Sequence, residues 1–191
     1  MSVELHHLFS IYPIQENLLK YLNGNDLQAL SSLGGEYESS YFEFNRELEL
    51  DHYDDELYSK FKKIQKLKLN KLSHQETVPT EKLSVLLSLE VPSINTEKIN
   101  LRECKRLQRL CCESLVNLDK EDFPISLKQI YCNKISDINL NHLINLKEIK
   151  CGGSLINDDA INNFPKSLER IKRGCWKISA KLENSGNMPH P

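Results

Sequence analysis

The chain has almost no net charge, no long apolar run and no paired cysteine motif, and each absence removes a class of function. A formal net charge of -2 forbids any argument from overall basicity, so a partner has to be read from where the charges lie. The longest apolar stretch, Leu83 to Val91, is broken by serine and glutamate and falls well short of the roughly 20 residues a membrane-spanning helix needs. No membrane association is expected. The six cysteines include no C-x-x-C pair, which argues against a zinc site. Met1 to Leu8 has neither the basic region nor the apolar core of a secretion signal, so free thiols, a reducing compartment and a cytoplasmic location are expected. There is no glycine-rich phosphate loop, and Gly152 and Gly153 read as easing a turn. His6, His7, His52, His74, His142 and His190 pair with no serine or cysteine at a recognisable spacing. We therefore expect no catalytic residue, no cofactor and no metal. Cys111 and Cys175, placed to point outward, are the residues a cysteine-dependent enzyme would use.

What the chain does have is a repeat. The pattern L-x-x-L-x-L recurs six times: Ile64, Leu67, Leu69; Leu86, Leu89, Val91; Leu107, Leu110, Cys112; Leu127, Ile130, Cys132; Leu146, Ile149, Cys151; and Leu168, Ile171, where Arg173 breaks the last place. The starts lie 22, 21, 20, 19 and 22 residues apart, a period that marks a stacked-repeat architecture. Each copy supplies a short strand whose fourth and sixth residues share a face, because strand side chains alternate. Return segments carrying Leu115, Leu118, Phe123, Ile135, Ile138, Leu143, Leu155, Ile161 and Phe164 complete the core. Pro124 and Pro165 end two of them. Cys112, Cys132 and Cys151 fall in one column and would stack roughly 5 Å apart. Such a column is either a buried core ladder or a set of metal-binding thiols.

The segments 132–137 (CNKISD) and 151–158 (CGGSLIND) resemble the cysteine-containing branch of the leucine-rich-repeat family, whose pattern is C-x-x-I-T-D. The segments 123–127 (FPISL) and 164–168 (FPKSL) instead resemble the P-x-x-L junction of short bacterial repeats. The family resemblance runs from about Ile64 to Lys177. It implies an α/β leucine-rich-repeat solenoid of about six repeats, with a parallel sheet on a concave face that binds a partner, and it implies no catalysis.

The first sixty residues do not repeat. Asn17 to Leu22 and Asp26 to Leu33 read as two short helices separated by Asn23 and Gly24, with Asn25 as an N-cap. The stretch 13–30 (PIQENLLKYLNGNDLQAL) resembles the F-box, the motif that grips the Skp adaptor of a ubiquitin ligase. Carried onto this chain, that resemblance assigns adaptor binding to Pro13, Ile14, Leu18, Leu19, Tyr21, Leu22 and Leu27. The other reading of these helices is a cap that shields the first repeat. From Glu36 to Glu56 nine acidic residues stand against Arg46 alone. This stretch reads as a charged connector or a solvated face, or as a segment that folds back over the basic surface. Tyr53, Leu57 and Phe61 then mark one face of a third helix. The expected organisation is 1–60 as a helical cap or F-box-like module, 61–180 as repeats, and 181–191 as a flexible tail.

Residues alternating with the buried ones should line the open face of the sheet. Lys66, Lys68, Lys71, Arg109, Lys128, Lys134, Lys147, Lys150, Arg170 and Lys172 are set there against Glu90, Glu113, Glu148 and Glu169. Ten positive charges less four negative give +6 in a chain of -2. Tyr131 lies in the middle column as the natural aromatic anchor. The face implies an acidic or phosphorylated protein partner, unless the lysines only solvate the sheet. A single tyrosine makes a poor stacking platform and disfavours nucleic acid. Reversing Lys150 and Lys172 is accordingly expected to slow partner association and leave folding little changed.

The functional expectation is a non-enzymatic adaptor of the F-box type that recruits a substrate to a Skp/cullin ubiquitin ligase. The alternative is a stand-alone binding module whose N-terminus is only a cap. In that case the protein could be a pathogen or viral effector acting in a host cytoplasm.

Overall fold

A computed structural model of the chain describes residues 18–19, 21–72, 77–94, 99–115, 118–135, 138–152 and 162–173. Within them lies an α/β arrangement built on one seven-stranded sheet whose strands follow each other in sequence order. The strands are β1 (Glu47–Leu50), β2 (Lys66–Leu69), β3 (Ser88–Glu90), β4 (Arg109–Leu115), β5 (Gln129–Ile135), β6 (Glu148–Cys151) and β7 (Arg170–Arg173). Every neighbouring pair is parallel. Parallel neighbours require a return crossing each time. The described returns use single turns of helix such as α4 (Thr80–Leu83), or 3-10 turns at Leu101–Glu103 and Lys120–Asp122.

The register puts apolar side chains in two stacked columns. Leu48, Leu67, Leu89, Leu110, Ile130 and Ile149 align strand to strand, and Leu110, Ile130 and Ile149 are each 0% exposed. Two residues on, Cys112, Cys132 and Cys151 align in the second column and belong to the same continuous core. Of the return residues named from the sequence, Leu115, Leu118, Phe123, Ile135, Ile138, Leu143 and Phe164 are buried there too. Leu155 and Ile161 lie outside the described residues. The prolines close turns, since Leu127 N–H donates to the Pro124 carbonyl and Leu168 N–H to that of Pro165. Gly152 does more than ease a turn. A Cβ there would sit 2.5 Å from Asn133 Oδ1 and 3.3 Å from Asn133 Cα, so the glycine permits the close approach of adjacent units.

The sheet starts one strand earlier than the repeat pattern places it. The Glu36 to Glu56 stretch is not a connector: it contains α2 (Ser40–Phe44) and β1, and Leu48 pairs with Leu67. The place filled by Ile64 in the next unit is filled here by Asn45, which is only 3% exposed and accepts a hydrogen bond from Glu47 N–H. A polar residue in that place conceals the unit from a search for leucines.

The helices before β1 form a small core of their own. Helix α1 (Gly24–Ser31) is capped by Asn23, whose side chain accepts from the backbone of Asn25 and Asp26, so the cap falls two residues before the expected Asn25. Leu19, Leu27 and Phe44 are buried together, with Leu30, Tyr37 and Tyr41 packed around them. Tyr41 also packs against the main core. Helix α3 (Asp55–Lys60) starts on the Asp54 cap, as its acidic first turn predicts, and buries Tyr58 against the sheet core. No helix among the described residues is long and apolar enough to cross a membrane.

Candidate functional site on the polar face of the sheet

Alternation along each strand leaves two columns on the face away from the core. The first runs Glu47, Lys66, Ser88, Arg109, Gln129, Glu148, Arg170, and the second Glu49, Lys68, Glu90, Cys111, Tyr131, Lys150, Lys172. Of the expected partner-binding residues, Lys66, Lys68, Arg109, Tyr131, Lys150, Arg170 and Lys172 are brought together here. Lys128 and Lys147 lie just outside β5 and β6, and Lys147 pairs with Glu169 at 2.8 Å. Lys71 follows the end of β2, and Lys134 pairs with Ser114 near the far end of β5. The uniform excess of +6 therefore does not describe this face. Counting β1 adds Glu47 and Glu49.

These two carboxylates split the face electrically. Lys66 pairs with Glu47, and Lys68 pairs with Glu49 at 2.8 Å and with Glu90 at 3.9 Å. The Glu49 carboxyl is held below its usual range, chiefly by the Lys68 hydrogen bond against the opposing effect of burial. Two cations and three carboxylates leave this end at -1. A cleft of about 490 Å³ lies over it, bounded by Asn23 to Asn25 before the sheet and by Glu47, Lys66, Glu90 and Arg109 on it.

The other end carries the positive charge. Glu148, only 4% exposed, lies 3.4 Å from Lys172 Nζ and 3.9 Å from both Lys150 Nζ and Arg170. Tyr131 Oη and Gln129 Nε2 each donate to its Oε2 at 3.3 Å. Burial pushes the Glu148 carboxyl up, and Lys172, Lys150 and Arg170 more than offset it, so the group is held below the ordinary carboxylate range. Glu148 is absent from the apolar core; it is covered by long cationic side chains rather than sunk among leucines. Three cations against one carboxylate leave this end at +2, and Arg109 stands between the two ends, against Tyr131 on one side and on the rim of the cleft on the other.

Tyr131 is not the exposed anchor its position suggests. It is 5% exposed, because Arg109 stacks 4.6 Å from its ring centroid and Lys150 Nζ lies at 4.2 Å. Strand alternation gives the face a side chain points to, but not what its long neighbours cover. Cys111 has the same fate: it faces outward and yet is 1% exposed. Burial raises its thiol more than the Arg109 contact lowers it, which is the wrong direction for a reactive thiolate. Burial pushes the Cys112 and Cys132 thiols up further. Cys175 lies outside the described residues. No group of three His, Cys, Asp or Glu among the described residues is arranged to hold a metal ion.

The residues assigned to adaptor binding divide. Leu18, Tyr21 and Leu22 are 46%, 81% and 37% exposed, whereas Leu19 and Leu27 form the small helical core. Pro13 and Ile14 lie outside the described residues. Sequence reasoning did not assign Leu33, which is 71% exposed after the end of α1. Compared with known proteins, the chain matches no family model, no curated protein and no solved structure.

Proposed function

We propose that this chain is a non-enzymatic adaptor, a leucine-rich-repeat solenoid that holds a target on the concave face of its sheet and a Skp-type ligase adaptor on its N-terminal helices. The observation that carries the reading is the exposure of Leu18, Tyr21, Leu22 and Leu33 beside a helical core already closed by Leu19, Leu27 and Phe44. Apolar side chains used only to cap a sheet would be spent on it, and several left facing solvent fit a surface for a partner. The polar face adds a second surface, with its positive end suited to an acidic or phosphorylated target. A stand-alone module with a helical cap is favoured by a different observation, the packing of Tyr41 against both cores.

Co-expression of the full chain with a Skp-type adaptor separates the two readings. The adaptor is expected to co-purify with the wild type and to be lost from a Leu18→Asp/Leu22→Asp variant that keeps its circular dichroism spectrum. Absence of the wild-type complex, or an undiminished complex with the folded variant, would overturn the adaptor reading and leave the stand-alone module.

A further inference from the structure

We infer that the positive end of the sheet is a binding site for a phosphoryl group carried on a segment of the target protein. The inference rests on the proposed function only in making the ligand part of a captured protein, and it names the chemistry that the polar face selects.

Lys150, Arg170 and Lys172 come from two adjacent strands, and all three reach the same carboxylate, Glu148, at 3.4 to 3.9 Å. A single buried anion thus gathers three cations to one place. The contacts to Glu148 are long for hydrogen bonds, and the Arg170 and Lys172 side chains remain 60% and 58% exposed. Their donors are therefore largely open to an incoming ligand.

The excess of +2 decides between anions. A partner carboxylate offsets one charge, whereas a phosphoryl group brings about -1.5 to -2 and three acceptor oxygens. That matches a guanidinium and two ammonium groups converging on one place.

The other end of the face decides between sources. A nucleic acid strand or an anionic bilayer would extend its charge over the whole sheet and meet Glu47, Glu49 and Glu90, where the net charge is -1. It would also find no stacking platform, since Tyr131 is 5% exposed. A compact dianion on a protein segment touches the positive end alone.

The test is a nuclear magnetic resonance titration of the full chain with inorganic phosphate and, separately, with acetate at matched ionic strength. Phosphate is expected to give saturable shifts on the amides of β6 and β7, about tenfold tighter than acetate. The shifts should vanish in Arg170→Ala/Lys172→Ala and persist in Lys66→Ala/Lys68→Ala, which controls for any general loss of fold. Equal response to acetate, or shifts that survive the first variant, would overturn the site. Tighter binding of a single-stranded oligonucleotide or of phosphatidylserine vesicles at the same amides would also overturn it, in favour of a polyanion surface. Because the titration uses no adaptor, its failure would leave the co-purification result untouched, and the reverse holds.

Discussion

Replacing Ile130 with alanine is expected to destabilise the protein by roughly 2–5 kcal/mol, the cost of a large-to-small change in a core that relaxes only in part. Ile130 is 0% exposed and sits in the middle of a column, in register with Leu110 on one side and Ile149 on the other. In a stack each unit is held by its neighbours, so a cavity at Ile130 weakens the contacts on both sides. For a chain of this size each 1 kcal/mol lowers the melting temperature by about 2–4 °C. A control of the same chemistry is available in Ile144, which is 64% exposed. Ile144→Ala should change stability by less than about 0.5 kcal/mol. Urea unfolding followed by circular dichroism measures both. Equal effects of the two substitutions would contradict the register.

Reversing Lys150 and Lys172 to glutamate is expected to destabilise the protein by about 1–3 kcal/mol, because a covered carboxylate loses two of the three cations that offset its charge. From sequence alone these are surface lysines whose reversal should be nearly silent in folding. In the structure both reach Glu148, which is 4% exposed. The reversal changes the local charge from +2 to -2 and sets two new carboxylates beside a covered one. The Glu148 carboxyl, now depressed by these cations, should then move up and bind a proton more readily. Adding Glu148→Gln removes the buried charge, so the triple variant should recover most of the lost stability. With the wild type and Glu148→Gln alone, these two variants complete a coupling cycle. A double variant as stable as the wild type, or a triple variant no better than the double, would show that Glu148 does not organise these cations. The same coupling makes the reversal a poor probe of partner binding, and neutral alanine variants are the better choice.

The repeated strands were legible because stacking requires an apolar residue at fixed places, and Leu110, Ile130, Ile149 and the cysteine column meet that requirement. β1 was missed where one place departs from it, at Asn45, in a stretch whose acidity suggested solvent. Its signal was present: Leu48 and Leu50 keep the alternation 19 residues before Leu67 and Leu69. The site was legible by column and illegible by cover. Lys150, Arg170 and Lys172 were placed on the correct face, but Glu148 was counted as one opposing charge among four. That it lies between them depends on long side chains bending across strands. Writing the columns side by side puts Glu148 next to Lys150 along its own strand and beside Arg170 on the next. That adjacency was the available clue. The exposure of Leu18 and Tyr21 against the burial of Leu19 and Leu27 follows from how the helices pack, and the sequence pattern does not encode it as plainly.

Hydrogen–deuterium exchange of the full chain with and without a Skp-type adaptor distinguishes a docking surface on the N-terminal helices, with the polar face left free for a second partner, from a helical cap. With the adaptor bound, exchange is expected to slow within residues 18–33 and to stay unchanged in β4 to β7. No change on mixing, or protection confined to the strands, would contradict it.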